Sequence, residues 1–287
     1  MQDLDWTDLR YVLALARSGA HSAASRRLGV NETTIYRRLT RIESRLGSRL
    51  FQRIEGSLLP TDLGHRVIAH AERMELEAEA VIEAANSVNT AAGGTVRLTS
   101  VPILINRLLL PELKELRSAH PDLRVELIAE TRNLSLTKRD ADLALRLARP
   151  NKEQRVIARR IAWLQYAVYG PSDMDESALP WITYDDSMLE LPHAAWLHQT
   201  LRAEGSMPGL VVNDAELALH AIKAGLGKSL LPAAIGEKEP GLSRLSDENS
   251  VLERELWLLA LPELKHLTRI KATIAWLEKV IKRRAHS

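Results

Sequence analysis

Residues 31–53 hold the side chains whose chemistry is easiest to name. Asn31, Glu32, Thr33, Tyr36 and Arg37 mix hydrogen-bond donors and acceptors, and Arg38, Arg41 and Arg45 add positive charge. A helix with such a face suits the major groove of a DNA duplex, where base edges show donor and acceptor patterns and flanking phosphates attract arginine. Asn31, Glu32, Thr33, Tyr36 and Arg37 are placed to read bases, while Arg38, Arg41 and Arg45 are placed for phosphates. Ile35, Leu39, Ile42 and Leu46 recur on the other side, which predicts an amphipathic helix that buries one face and presents the other. Asn31 stands where an N-cap is needed, and Glu32 favours the positive end of the helix dipole.

The elements that must hold this helix are legible around it. Leu9, Val12, Leu13 and Ala16 form one stripe over residues 5–18, and Gly19 follows where a left-handed helix end falls. A short helix over 22–28 carries the small residues Ala23, Ala24 and Ser25, and Gly29-Val30-Asn31 makes a tight turn into the reading helix. This is the order of a helix-turn-helix. Beyond it, 50–53 and 57–60 read as two strands joined through Glu55-Gly56, a hairpin or wing from which Arg49 and Arg53 reach backbone phosphates. Between Arg26 and Arg53 stand eight arginines and no lysine against two glutamates, a balance of +6 inside a chain whose net charge is only +2. An arginine-rich helix taken alone reads as a solvated face; the coincidence of turn, capped helix and hairpin with that charge favours DNA.

Residues 61–92 reverse the sign, with two arginines against six carboxylates. No proline interrupts them, so one helix over 62–92 is predicted. Val67, Met74, Val81 and Val88 recur every seven residues, and Ala71, Ala78 and Ala85 interleave with them. Such a seam favours pairing with a second copy.

After Gly93-Gly94 the pattern changes to alternating strands and helices: strands at 95–99, 123–128 and 142–147 around a helix at 108–119, then strands at 166–169, 181–184, 210–213, 228–231 and 255–261, with helices at 215–224 and 267–284. Strands separated by helices give an α/β fold with a largely parallel sheet. Ligands in such sheets sit beyond the carboxyl ends of strands. The candidate effector residues are therefore Ser100, Val101, Pro102, Thr131, Arg132, Arg146, Tyr184 and Asn213, with Lys228 added because it follows the Gly225-Leu226-Gly227 turn. Arg132, Arg146 and Lys228 together suggest a small anion such as a carboxylate.

The run AASRRLGVNETTIYRRLTRIESRLGSRLFQR, followed by LLPTDLGH, resembles the DNA-binding segment of LysR-type transcriptional regulators. GTVRLTSVPILINRLLLPELKELRSAHPDLRVEL, DADLALRLARP, NDAELALHAIKAGLGKSLLP and ELWLLALPEL resemble the effector-binding domain of the same family, which extends the likeness over almost the whole chain. It implies a winged helix-turn-helix domain over 1–60, a linker helix over 61–92 that pairs two DNA-binding modules, and a two-lobed effector domain over 93–287 like that of periplasmic solute-binding proteins. The chain would cross between lobes near 159–165 and 249–256, leaving a first lobe of about 93–160 and 256–287 and a second of about 161–255. A homotetramer of two dimers is also implied. Where the family often has Ser-Gln-Ser and a later Ser, this chain has Asn31-Glu32-Thr33 and Tyr36. Glu32 accepts from a cytosine amino group, whereas glutamine suits adenine, so a different half-site is expected.

Other classes fit less well. The chain has no cysteine, so disulfides and thiolate chemistry are excluded. His193 and His198 are five apart and do not share a helix face as a metal pair would, and no nucleophile elbow, dinucleotide loop or phosphate-binding lysine loop occurs. The expectation is no catalysis, no metal and no cofactor. No apolar run reaches the roughly 20 residues of a membrane span, and the polar start does not read as a secretory signal, which points to the cytoplasm. A solute-binding protein, or a ligand-processing enzyme carrying a DNA-binding module, remains as the alternative.

Overall fold

The computed structural model describes residues 5–54, 56–85, 92–130, 141–150, 156–247 and 251–285. The chain divides into two compact units, Met1–Val88 and Asn89–Ser287.

The first unit opens with α1 (Trp6–Ser18), α2 (His21–Leu28) and α3 (Glu32–Leu46). Asp5 caps α1 by accepting from the Thr7 N–H at 3.1 Å. Each helix ends on a left-handed glycine, Gly19, Gly29 and Gly47, where a side chain would be strained. Val12, Leu15, Ala24, Ile35, Leu39, Ile42, Leu50 and Phe51 close one core. Each large aliphatic side chain buried there contributes about 1.5–3 kcal/mol. Leu46, expected on the apolar face, is instead exposed, because α3 outruns its cover in the last turn.

β1 (Phe51–Ile54) pairs antiparallel with β2 (Ser57–Pro60), Ile54 opposite Ser57. Glu43 ties helix to hairpin: its Oε1 accepts from the N–H groups of Leu50 at 2.7 Å and Phe51 at 3.3 Å. α4 follows over Asp62–Ala85. Thr61 starts it, accepting from the Gly64 N–H at 3.0 Å. Gly64 is required by closeness: a Cβ there would lie 2.0 Å from the Leu50 carbonyl oxygen. The 24 residues of α4 make about 36 Å. The expected extension of this helix to residue 92 is corrected at its far end. Ala92 lies outside any helix, buried in the second unit, and donates its N–H to His120 Nδ1 at 3.0 Å.

The second unit begins with β3 (Gly94–Ser100), then a helical stretch in four parts: α5 (Pro102–Leu104), a π-type turn (Ile105–Leu109), a tight turn (Leu110–Glu112) and α6 (Leu113–Ala119). The irregularity falls beside Pro111, which has no N–H to donate and cannot sit inside a regular helix. β4 (Leu123–Ala129) and β5 (Leu143–Arg146) flank β3 in parallel. β6 runs for 15 residues, Ile157–Pro171. β7 (Ile182–Tyr184), α7 (Pro192–Glu204), β8 (Leu210–Val212), α8 (Ala215–Lys223), β9 (Ser229–Pro232), α9 (Ala233–Gly236) and β10 (Leu242–Arg244) come next. β11 (Leu252–Ala260) and α10 (Thr268–Ala285) finish the unit.

The main sheet has the order β10-β6-β11-β5-β3-β4, with β9 also on β6. The first lobe is built on β3, β4 and β5, the second on β7, β8, β9 and β10. β6 and β11 join them, antiparallel from Ile157↔Ala260 to Tyr166↔Leu252. Past Tyr166 the same strand turns to β9 and β10. The two crossings expected near 159–165 and 249–256 pair with each other as one hydrogen-bonded ribbon. Residues 249–250 of the second expected crossing lie outside the described residues.

Candidate DNA-reading surface and effector site

On α3, Ile35, Leu39 and Ile42 are buried, and Asn31, Glu32, Thr33, Tyr36, Arg37 and Arg41 are exposed. Tyr36 has 65 % of its surface accessible. Asn31 holds the N-cap position with extended backbone but its amide makes no cap hydrogen bond; the carbonyl alone receives Thr34 and Ile35. Arg49, before the hairpin, and Arg53, on β1, are also exposed.

Arg38 and Arg45 depart from the expected phosphate role. Both are ion-paired to Asp8 of α1, a carboxylate with 1 % of its surface exposed, at 3.0 and 3.1 Å. Arg38 also lies over the Tyr11 ring at 5.6 Å. Their guanidinium groups face the protein rather than open solvent. Nothing in the sequence marks Asp8, since its partners stand 30 and 37 residues away.

The predicted pairing seam divides. Val67 and Ala71 pack with Ile68 against Leu9, Leu13 and Trp6 of α1, and Ala71 is fully buried. An ion pair from Arg17 to Glu75, 2.5 Å at its shorter contact, adds to the same α1–α4 join. That half of the stripe is consumed inside the unit, because α1 needs a surface to cover its second apolar side. Further along, Met74 and Val81 are 44 % and 68 % exposed, and Ala78 is partly exposed. Ala85 ends the helix, and Val88 lies outside the described residues.

The effector candidates separate into groups. Ser100 is fully buried and donates its hydroxyl to the Leu145 carbonyl at 3.1 Å, so it ties β3 to β5. Arg146 reaches the same carbonyl at 3.3 Å. It is 7 % exposed, its Nη2 has no partner among the described residues, and burial lowers its pKa. Val101 and Pro102 open α5. Thr131 and Arg132 lie outside the described residues.

Tyr184 ends β7 inside a second cluster. Its ring meets His193 of α7 edge-on at 4.7 Å, and Tyr166 stacks on the same imidazole at 5.8 Å. Arg254 of β11 donates to His193 Nδ1 at 2.9 Å and to the Leu147 carbonyl at 3.1 Å. Arginine can only donate, so Nδ1 is the acceptor and the proton of the neutral ring sits on Nε2. Burial, then the charge of Arg254, pushes the His193 pKa down to about 3. Burial raises the Tyr184 phenol above its usual range, and its Oη has no partner among the described residues. Sequence reasoning misses the contact of Arg254 with His193, because 61 residues separate them. Asn213 is exposed just before Asp214, which caps α8.

Lys228 does not join Arg146. Its Nζ pairs with Glu176 at 3.1 Å and lies 4.7 Å over the Trp181 ring. It precedes β9, and a parallel bridge sets it beside Trp181, which precedes β7. Lys228 therefore stands at the amino ends of these strands and Tyr184 at the carboxyl end. The expected convergence of Arg146 and Lys228 on one anion is corrected accordingly.

Two family profiles match this chain: the bacterial regulatory helix-turn-helix protein of the lysR family over residues 6–65, and the LysR substrate binding domain over residues 89–282. The chain belongs to the LysR family. As a LysR-type regulator it is a DNA-binding transcription regulator with an effector-binding domain, and its relatives are regulators rather than enzymes. It is similar to the Mau operon transcriptional activator of Paracoccus denitrificans, 29 % identical over 262 residues that cover 91 % of each chain. It is also similar to the regulator PgrR of Escherichia coli, 23 % identical over 260 residues, 84 % of this chain and 86 % of that one. Its fold matches a full-length OxyR variant of Pseudomonas aeruginosa with a TM-score of 0.70 at 20 % identity, over 98 % of this chain and 96 % of that one. Full-length CbnR complexed with its target DNA matches with a TM-score of 0.58 at 19 % identity, over 96 % and 100 %. Among the described residues no helix is long and apolar enough to cross a membrane.

Proposed function

We propose that this LysR-family regulator reads its operator with Asn31, Glu32, Thr33, Tyr36 and Arg37, holds backbone phosphates with Arg41, Arg49 and Arg53, and responds to a small anionic effector in the second unit. The observation that carries the first part is the exposed polar face of α3 over a fully buried Ile35 and Ile42. Such a helix has one side to give to a groove. Glu32 selects cytosine at its position and the Tyr36 ring meets a thymine methyl, each worth about 1–3 kcal/mol of discrimination. Binding measured across a salt series tests the assignment. Arg41→Gln lowers the slope of log affinity against log salt by about 0.9 on any duplex. Glu32→Gln changes which base is preferred at one position and leaves that slope alone. An unchanged preference removes Glu32 from the readers.

The anion reading rests on Arg146 and Arg254, guanidinium groups buried to 7 % and 5 % exposure whose hydrogen bonds, among the described residues, go to backbone carbonyls, a neutral imidazole and the Tyr166 side chain. A buried charge without a counter-charge is costly, and an anion removes that cost. Calorimetric titration with a panel of organic acids against Arg146→Ala and Arg254→Met variants identifies the anchor; equal binding by both variants and the parent sinks the reading. Two copies pair through the exposed part of α4 around Met74, Ala78 and Val81, and two such dimers form a tetramer in the cytoplasm. Effector binding biases the two lobes toward one arrangement, by its difference in affinity for the two, and so alters how the paired helices present the DNA modules.

A further inference from the structure

The strongest unassigned feature is the carboxylate under the reading helix. Asp8 sits on α1 between apolar neighbours, with Leu9, Val12 and Leu13 all buried, and is itself 1 % exposed. A carboxylate desolvated to that degree stays charged only with good partners. Two arginines of α3 supply them. Arg38 Nη1 meets Oδ1 at 3.0 Å, and Arg45 Nη1 meets Oδ2 at 3.1 Å. Seven residues are about two helical turns, so these two arginines leave α3 on one side, within roughly 20° of each other. One oxygen for each makes the carboxylate a bracket two turns long. The cation over Tyr11, again on α1, pulls Arg38 the same way.

We propose that Asp8 is a positioning residue of the reading helix: its buried carboxylate fixes the rotation of α3 and withdraws Arg38 and Arg45 from the DNA-facing charge, raising sequence discrimination while lowering general phosphate affinity. The rotation matters because consecutive residues on a helix differ by about 100°. Without the bracket, Arg38 competes with Arg37 for the groove and Arg45 competes with Arg41 for phosphates. The side chains of Arg38 and Arg45 are 31 % and 18 % exposed, and the side chains meant for DNA stand open beside them. Positive charge free to find any phosphate strengthens binding to every sequence alike; charge held against the protein does not.

The inference rests on α3 being the groove helix, and its test separates the two. Full-length protein is titrated, over a salt series, with a mixed-sequence duplex and with a duplex selected from a random library by the parent protein. Arg41→Gln tests the groove assignment alone: its slope on both duplexes falls by about 0.9, and no fall removes the groove assignment without touching Asp8. Arg45→Gln keeps the parent slope on the mixed duplex while the ratio of selected to mixed affinity drops about tenfold, the size of one lost base contact. Asp8→Asn, which keeps shape and one acceptor oxygen, binds the mixed duplex several-fold more tightly with a slope steeper by about one to two, and loses discrimination. The proposal is overturned if Arg45→Gln loses slope as Arg41→Gln does, or if Asp8→Asn discriminates as the parent does. Should circular dichroism show Asp8→Asn unfolded, the Arg45→Gln result decides alone.

Discussion

Arg107 of the first lobe and Glu216 of the second meet at 2.6 Å, Nη2 to Oε1, with a second bond from Nε at 2.9 Å. The same guanidinium reaches Glu239 at 3.0 Å, and Lys223 holds that carboxylate at 2.8 Å from the other side. The π-type turn next to Pro111 carries Arg107, and the capped first turn of α8 carries Glu216. The pair is half-buried, so losing the cation takes the guanidinium from a shielded Glu216 and leaves Glu239 to Lys223 alone. Arg107→Ala is expected to destabilise the second unit by about 1–3 kcal/mol and to speed amide exchange in the first turn of α8. Arg107→Lys keeps charge without the fork and falls between. Exchange in α8 equal to the parent's shows that the bridge does not restrain the lobes.

α4 carries one apolar stripe with two different uses, and substitutions along it separate them. Ala71 is enclosed by Leu9 and Leu13, where added volume has no room. Ala71→Leu overpacks the first unit and costs about 1–3 kcal/mol of its stability, read as a lower thermal midpoint. Val81 is 68 % exposed, so a change of side chain there meets open solvent rather than a packed core. Val81→Glu leaves the thermal midpoint near the parent's and shifts the species seen by sedimentation toward the single chain. A variant that sediments as the parent does removes Val81 from the pairing surface.

Local signals in this chain are legible and distant ones are not. Gly19, Gly29 and Gly47 end helices by their own backbone freedom, and the spacing of Ile35, Leu39 and Ile42 follows one helical period, so the three-helix order and the reading face are visible in sequence. The bracket of Asp8 on Arg38 and Arg45 depends on how α1 crosses α3, which no local pattern encodes. The first half of β6, with Arg159, Arg160 and Trp163, faces solvent and lacks a strand's apolar run; its pairing with β11 is what makes it a strand. The Gly225-Leu226-Gly227 turn suggests Lys228 as a ligand without saying what lies across from it. Lys228 immediately precedes β9 and so lies at its amino end, and the parallel bridge beside Trp181 sets the amino end of β7 next to it. The π-type turn escapes for a related reason, since Pro111 signals a disturbance but not its form.

His193 gives the second unit an acid sensitivity whose sign can be derived. Its pKa lies at about 3 in the fold, against an ordinary value near 6.5, because burial removes water from the ring and Arg254 opposes a second positive charge. Above about pH 6.5 the ring is neutral whether the unit is folded or not, and its contribution is constant. Below that, the unfolded chain takes up a proton that the folded one refuses, so stability falls as pH drops from about 6.5 toward 3, at most tenfold in the folding constant per pH unit. His193→Asn keeps an acceptor for Arg254 and has nothing to titrate. Five of the six tryptophans lie in this unit, so urea unfolding followed by tryptophan fluorescence reports on it. Comparing the two proteins at each pH cancels the other acidic groups, including Asp214, whose pKa burial raises. The parent is expected to lose stability relative to His193→Asn between about pH 6.5 and 4.5, by up to about a hundredfold in the folding constant. A constant difference across that range shows that the ring titrates normally in the fold and that the Arg254 contact is not what its geometry implies.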